Sequence, residues 1–222
     1  MWRLRLRRLR RQSRVRGTPL QTCWQEPLPS TSSDWHRASY LVCDAETSAL
    51  EPGCGELLSI GWVGIDAGAV SLSSARYELI PARAPVGHSA VIHQLRDCDL
   101  VGGRPIEVVM GDFLAAARGR VLVFHNARLD MAFLDRWSVA LYGSPLLLPV
   151  VDTLALEQRL LRRRDIPIRV GDLRLQGCRE RYGLPPYTAH NALMDALATA
   201  ELLLAHVRHR AGRGPLKLSH LL

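Results

Sequence analysis

Apolar residues from residue 38 onward form short runs that alternate with longer stretches of helical spacing. The runs predict five strands, of which the second and third form a hairpin around a short turn at Ala67–Gly68. The predicted strands are 39–46, 57–66, 70–80, 120–125 and 147–153. The helical spacing predicts helices over 105–117 and 127–143, and over about 153–164, 172–182 and 191–208. Strands and helices in this order predict an α/β fold with a mixed sheet flanked by helices.

The positive charge is concentrated before the first predicted strand. Residues 1–37 contain nine arginines and two acids, a net charge of +7 out of +8 for the 222-residue chain. We interpret residues 1–37 as a poorly ordered basic tail and linker, and residues 38–222 as one domain. The tail could bind nucleic acid through phosphates, lie on an acidic membrane surface or serve as an organelle import peptide.

The remaining composition narrows the class of protein. No apolar run approaches the ~20 residues needed to cross a bilayer, so no membrane insertion is expected. The five cysteines are scattered without a C-x-x-C pair, which argues against disulfides and structural zinc and favours a reducing compartment. The expected location is cytoplasmic, with organelle import left open.

Two carboxylates mark the end of the first predicted strand. Asp44 and Glu46 are two residues apart in "LVCDAET", so both side chains point to the same side of the sheet. Two shielded anions at this separation raise each other's pKa and suit hard divalent cations, which prefer carboxylate oxygens. The alternative is a strand that simply ends in solvated charges.

Two similar strings, "HNARLD" at 125–130 and "HNALMD" at 190–195, each begin a predicted helix. Asn126 and Asn191 are placed to act as N-caps, which puts Asp130 and Asp195 in the first helical turns. An acid in a first turn is also stabilised by the helix dipole, so each aspartate alone could be structural. Spacing does not decide which histidine performs chemistry.

Three segments together resemble the DEDDh 3′–5′ exonucleases, which include the proofreading subunit of bacterial replicative DNA polymerase, ribonuclease T and oligoribonuclease. The segments are "CDAETSAL" (43–50), "HNARLDMAFL" (125–134) and "HNALMDALATAELL" (190–203), with "VDT" (151–153) between the last two. The resemblance covers roughly residues 38–208. It implies a ribonuclease H-like fold with a five-stranded mixed sheet.

The resemblance also implies a mechanism. Asp44, Glu46, Asp130 and Asp195 would hold two Mg²⁺ or Mn²⁺ ions, and His190 would remove a proton from the attacking water. The other histidine, His125, is expected to shape the corner between strand and helix.

Three further residues are predicted to contact substrate: Thr47, His93 and Phe133. His93 lies in "VIHQLR" (91–96), where Gln94 and Arg96 replace the glycine and threonine of the corresponding family stretch. This departure concerns substrate preference rather than catalysis.

The implied activity is removal of nucleoside 5′-monophosphates from the 3′ end of DNA or RNA. The expected partners are nucleic acid with a free 3′ end, a polymerase or another replication or repair protein, and a second copy of the chain in a homodimer. Two alternatives remain open: an endonuclease on the same fold, and a non-catalytic protein that binds nucleic acid or acts as a scaffold.

Overall fold

The computed structural model describes residues 1–87, 94–187, 190–212 and 214–222. Its five strands are β1 (Ser39–Thr47), β2 (Leu57–Asp66), β3 (Ala69–Leu79), β4 (Arg120–Phe124) and β5 (Val150–Asp152). Its first helices are α1 (Trp2–Leu9), α2 (Pro19–Gln25), α3 (Asp97–Leu100) and α4 (Ile106–Ala117). The later helices are α5 (Ala127–Tyr142), α6 (Thr153–Arg163), α7 (Leu175–Glu180) and α8 (Ala192–Ala211).

The strands form one mixed sheet in the order β3-β2-β1-β4-β5. The pairs β1/β2 and β2/β3 are antiparallel, whereas β1/β4 and β4/β5 are parallel. The predicted hairpin is confirmed, and both turn residues have positive φ, 50° at Ala67 and 76° at Gly68, as expected for a tight hairpin turn. The predicted α/β architecture with a five-stranded mixed sheet is therefore confirmed.

Both faces of the sheet are covered. Leu41 and Cys43 of β1 face one cluster together with residues of α2, α4 and α5. Their neighbours Tyr40 and Val42 face a second cluster with residues of α6 and α8. Because successive side chains of a strand point to opposite faces, a strand buried on both sides is apolar at nearly every position.

The N-terminal segment differs from the expected poorly ordered tail. Val15, Leu20 and Cys23 are buried in the same cluster as α4 and α5. The Arg8 side chain donates to the Leu147 carbonyl over 2.9 Å, and the Trp24 indole donates to the Leu146 carbonyl over 2.7 Å. The structure differs from the expectation at these residues because the apolar side chains of Val15, Leu20 and Cys23 pack against the core.

Several element bounds also differ from the predicted ones. Helix α3 was not predicted, β5 begins only at Val150, and α7 is shorter than the predicted 172–182. Helix α8 continues to Ala211, beyond the predicted end at 208. None of the described helices is both long enough and apolar enough to cross a membrane.

Candidate active site

The site begins at the end of the central strand. Asp44 and Glu46 occupy alternate positions near the end of β1, which is flanked by β2 and β4. The register between β1 and β2 shifts after Glu46, so the strand pairing becomes irregular where the carboxylates are placed. The prediction that both acids lie at a strand end is confirmed.

Asp130 lies in the first turn of α5, directly after β4. Its side chain is buried, with 5% relative exposure. Burial raises the pKa of Asp130 to about 8, and the negative charges of Glu46 and Asp152 add to this, although hydrogen bonds from its own amide and that of Ala45 oppose the shift. Asp130 is thus close enough to Glu46 for the two carboxylates to repel each other.

Asp195 lies in the first turn of α8, and His190 lies in the loop before it. The Asp195 carboxylate accepts a hydrogen bond from the His190 backbone amide over 2.8 Å. Asn191 caps the helix through its side chain, which accepts from the Met194 amide over 3.1 Å. The predicted cap at Asn191 and the predicted loop position of His190 are confirmed.

Three of the predicted groups come together at one point. One potential ligand atom from each of Glu46, His190 and Asp195 lies within 4.8 Å of the others. The negative charges of Asp130, Glu46 and Asp195 all contribute to raising the pKa of Asp44, after burial itself. The structure therefore brings His190 and the four predicted carboxylates to one site.

A glycine allows α8 to approach the sheet this closely. Gly61 of β2 is paired with Asp44 of β1. A β-carbon at Gly61 would lie 2.2 Å from the Leu193 nitrogen and 2.4 Å from the Ala192 carbonyl carbon. The backbone of the first turn of α8, which carries Asp195, thus rests directly on this strand position.

Among the described residues, the four carboxylates have no ion-pair partner to balance their charge. Burial raises the pKa of Glu46 to about 7, and Asp195 adds to the shift. Burial also raises the pKa of Asp195, although a hydrogen bond from the His190 backbone and the positive charges of His190 and Arg179 lower it in part. In the described part of the chain, none of the four acids forms an ion pair within 4.0 Å. A set of oxygen donors with unbalanced negative charge fits hard divalent cations such as Mg²⁺ and Mn²⁺.

The two histidines of the similar strings have different environments. The His125 ring contacts the Thr153 hydroxyl over 2.9 Å and the Leu173 carbonyl over 2.8 Å, and burial lowers its pKa. His190 is exposed at the site, with a left-handed φ of 68°. In the first string the left-handed residue is Asn126, with φ 74°, and its side chain makes no cap bond. Asn126 is therefore the N-cap residue of α5, as predicted, but its side chain does not form the cap hydrogen bond.

A cleft of about 880 Å³ opens over the carboxylates. Asp44, His190 and Asp195 line it together with His125, while Arg169 and Arg174 border it from the segment between α6 and α7. The cleft thus combines acidic groups with guanidinium groups that could contact an anionic polymer.

Sequence comparison decides the family, because the RNase_T exonuclease model matches residues 41–203. The chain belongs to the RNase_T exonuclease family. The PolC-type DNA polymerase III of Thermotoga petrophila is 32% identical over 192 residues, which are 86% of this chain but 14% of that protein. The DNA polymerase III subunit epsilon of Treponema pallidum is 29% identical over 185 residues, 80% of this chain and 83% of that protein. This chain thus spans only a small part of its PolC-type relatives.

Solved structures show the same fold. Escherichia coli exonuclease I in its complex with single-stranded DNA superposes with a TM-score of 0.67 at 15% identity, covering 80% of this chain and 42% of that chain. Exonuclease X in complex with 5′ overhanging duplex DNA gives a TM-score of 0.59 at 20% identity, with 82% and 98% covered. The predicted ribonuclease H-like fold is confirmed.

The structure describes two of the three predicted substrate contacts. Thr47 is half-buried and donates through its hydroxyl to the Ala49 carbonyl over 2.9 Å. Phe133 is 0% exposed, with its ring edge beside Gly55, so it does not line the cleft, and its contact with substrate stays a prediction. Its position on the inner face of α5 explains the burial. His93 lies outside the described residues.

Sequence reasoning assigned no role to Asp152 of "VDT". Its carboxylate caps α6 by accepting from the Leu154 amide over 3.0 Å, and it also accepts from the Asn126 amide over 3.1 Å. It thereby holds the start of α5 next to β5 and contributes negative charge near Asp130. An aspartate directly before a predicted helix is the signal that could have identified this cap.

Sequence reasoning also missed Arg179 of α7, which is 1% exposed. Its guanidinium donates to the Pro185 carbonyl and to Glu201 of α8, both over 2.8 Å, and it lies 4.7 Å from the centre of the Tyr187 ring. The Tyr187 hydroxyl also donates to Glu201 over 2.9 Å. These contacts fasten the loop that leads to His190 onto α8.

Proposed function

We propose that this chain is a metal-dependent 3′–5′ exonuclease that hydrolyses DNA or RNA from a free 3′ end and releases nucleoside 5′-monophosphates. The observation that carries the proposal is the meeting of Asp44, Glu46, Asp130 and Asp195 beside the exposed His190. Membership of an exonuclease family supports it, as do relatives named as a PolC-type DNA polymerase III and as the epsilon subunit of DNA polymerase III.

The donor set is suited to two divalent cations. Asp44, Glu46, Asp130 and Asp195 would hold Mg²⁺ or Mn²⁺, as the resemblance to the DEDDh enzymes implies. When bound, such ions neutralise charge at the phosphodiester and lower the pKa of an attacking water. The raised pKa of the carboxyls supports this assignment, because a bound cation would restore their ionised form.

The protein's own groups supply proton transfer and binding. His190 is the proposed base that removes a proton from water as its oxygen attacks phosphorus, a task suited to imidazole near neutral pH. The bond from phosphorus to the 3′ oxygen then breaks, and this oxygen takes up a proton from solvent, which leaves a 5′-monophosphate and a new 3′ hydroxyl. Arg169 and Arg174 are placed at the cleft to contact backbone phosphates of the strand.

The test is digestion of oligonucleotides that carry a label at the 5′ end, with Mn²⁺ present. A ladder that shortens from the 3′ end is expected on single-stranded DNA or RNA, whereas immediate release of a labelled mononucleotide would contradict the polarity. Excess chelator should stop the reaction. Asp44→Ala and Asp195→Ala should abolish activity and weaken Mn²⁺ binding while circular dichroism shows a folded protein.

Two controls separate the alternatives. Nicking of circular single-stranded DNA would indicate an endonuclease, because a circle offers no 3′ end. Failure of the wild-type protein to bind Mn²⁺ and to digest any substrate would favour the non-catalytic binding protein or scaffold.

Further features of this proposal concern partners and location. The names of the relatives support a replication or repair polymerase as the partner. A homodimer, a cytoplasmic location and an import role for the Arg-rich segment stay predictions. Gel filtration with light scattering would test the dimer, and localisation of tagged full-length chain would test the location.

A further inference from the structure

A second cavity lies away from the carboxylates, between α6, the end of α8 and the C-terminal residues. It has a volume of about 230 Å³, and we call this cavity the arginine pocket. Its lining includes Arg159, Arg163, His206 and Arg210, together with Ser219 and His220. Along α8, His206 and Arg210 lie ~16 and ~22 Å from Asp195 at a rise of about 1.5 Å per residue. The pocket is therefore separate from the proposed active site.

The three arginines of the pocket have no acidic partner within the described ranges. None of them forms an ion pair with a carboxylate there, in contrast to Arg104, Arg118 and Arg120 elsewhere. Their hydrogen bonds to other described residues go to backbone carbonyls, from Arg159 to Leu221 over 3.5 Å and from Arg210 to His220 over 2.9 Å.

The positive charges of the pocket also act on one another. Burial lowers the pKa of Arg210, and the charges of Arg163 and Arg159 lower it further. The guanidinium groups thus repel each other at close range, and an anion between them would relieve this repulsion.

His206 forms part of the pocket wall and is 3% exposed. Its Nδ1 atom lies 2.7 Å from the Glu157 carboxylate, whereas its Nε2 atom has no hydrogen-bond partner among the described residues. Buried ring nitrogens are normally paired, because leaving one unpaired costs desolvation free energy. Because Nδ1 donates to Glu157, Nε2 accepts from a P–OH group when the ring is neutral and donates to a phosphate oxygen when both nitrogens are protonated, and either hydrogen bond to a ligand in the pocket would recover that free energy.

Glu157 fixes the orientation of this ring. It is 0% exposed and also accepts hydrogen bonds from the Tyr182 hydroxyl over 2.7 Å and from Arg181 over 3.1 Å. Burial alone would raise the pKa of Glu157, but the bonds from His206, Tyr182 and Arg181 lower it. The ionised carboxylate therefore holds Nδ1 of His206 and keeps Nε2 on the opposite side of the ring.

We propose that the arginine pocket is an anion site that binds a phosphate group. Arginine matches phosphate geometry through paired N–H donors, and three guanidinium groups can share the oxygens of one phosphate. The phosphate can come from a nucleic-acid backbone that crosses the face of α6 and α8, or from free inorganic phosphate. Both sources offer the same tetrahedral anion.

The test uses metal-free full-length protein, because the negatively charged carboxylate site then repels anions. Isothermal titration with inorganic phosphate compares the wild type with Arg163→Gln and with Arg163→Gln/Arg210→Gln. We expect one phosphate per chain, with affinity at least tenfold weaker in the double variant. Arg16→Gln, which removes one charge from an exposed residue of the N-terminal segment, is the matched control and should bind phosphate like the wild type.

A second arm distinguishes the two sources. If the ligand is a polynucleotide, the double variant should also bind labelled duplex DNA more weakly. The slope of the logarithm of the binding constant against the logarithm of the salt concentration should become shallower by about 0.9 for each lost phosphate contact. If the ligand is free phosphate, the affinity for DNA should be unchanged while the affinity for phosphate falls.

Two results would overturn the proposal: no phosphate binding by the wild type, or equal phosphate affinity in the wild type and the double variant. Melting temperatures verify that the variants are folded, and the single variant at the exposed Arg163 keeps the test valid if the double variant is unstable.

Discussion

Replacing Gly61 by alanine should displace the first turn of α8 without touching any proposed catalytic side chain. The added carbon would lie 2.2 Å from the Leu193 nitrogen, and ordinary contacts begin at 3.4 Å, so sheet and helix must separate by about 1.2 Å. The atoms that are met belong to the backbone, and a rotamer change therefore cannot relieve the contact. Asp195 and the loop with His190 would move together with the helix.

We expect Gly61→Ala to lower the activity more than the stability of the fold. A displacement of about 1 Å in a catalytic group can reduce the rate by about 10²-fold. An extra methylene in a packed interior costs about 1–3 kcal/mol of the free energy of unfolding, which a domain of ordinary stability tolerates. We therefore expect a folded Gly61→Ala protein with a lower melting temperature, weaker Mn²⁺ binding and about 10²-fold slower hydrolysis.

The assay is the initial rate on a short labelled oligonucleotide at saturating Mn²⁺, with Mn²⁺ affinity from calorimetry and a thermal melt alongside. Gly64→Ala is the matched control on the same strand, because its added carbon meets only side-chain ends, Arg120 Nη1 and Ser74 Oγ, at 2.9 Å. It should keep most of the activity. A folded Gly61→Ala protein with activity within about threefold of the wild type would refute the reasoning that helix approach positions Asp195.

Three other predictions concern the same site. His190→Ala should slow turnover by ~10²–10⁴-fold while Mn²⁺ binding is largely kept. His125→Ala should mainly lower the melting temperature, because it removes two hydrogen bonds. A greater loss of turnover in a folded His125→Ala protein than in His190→Ala would show that the two roles are reversed. In metal-free protein, burial raises the pKa of Asp130 to about 8, so the folded state holds this proton more tightly than the unfolded state. The melting temperature should therefore fall as the pH rises from about 4 to about 8. Asp130→Asn should remove much of that slope, and an unchanged slope would contradict the assignment. Tyr187→Phe, which deletes the bond to Glu201, should reduce kcat by roughly tenfold or less with little change in KM, and an effect on KM alone would argue against a role in placing the loop.

The strands and the site acids were predictable because each left a local signal. A short apolar run such as 121–124 favours a buried strand, and strand alternation places Asp44 and Glu46 on the same side of the sheet. The choice of His190 over His125 came from the family resemblance, because the spacing of the two strings is identical. The structure adds a physical difference between them, since one ring is held by two hydrogen bonds and the other is exposed.

The features that were not predictable depend on contacts between distant residues. The arginine run before residue 17 led to the expectation of a disordered tail, although Val15, Leu20 and Cys23 are apolar. Their burial could not be predicted locally, because they pack on a core surface that exists only once the sheet has folded. Arg179 resembles any other arginine of a basic chain until its partners Pro185 and Glu201 are seen. The same is true of Gly61, because nothing local indicates that a helix more than a hundred residues later rests on it.

The position of α8 near the end of the chain has a consequence for the newly made protein. All five strands precede Asp195, so the sheet with Asp44, Glu46 and Asp130 can be synthesised before the fourth carboxylate has left the ribosome. Domains begin to fold as they emerge, N-terminal parts first. The nascent chain therefore carries only three of the four carboxylates until α8 emerges and docks across β2 at Gly61. Until then the set of acidic groups proposed to hold the cations is incomplete.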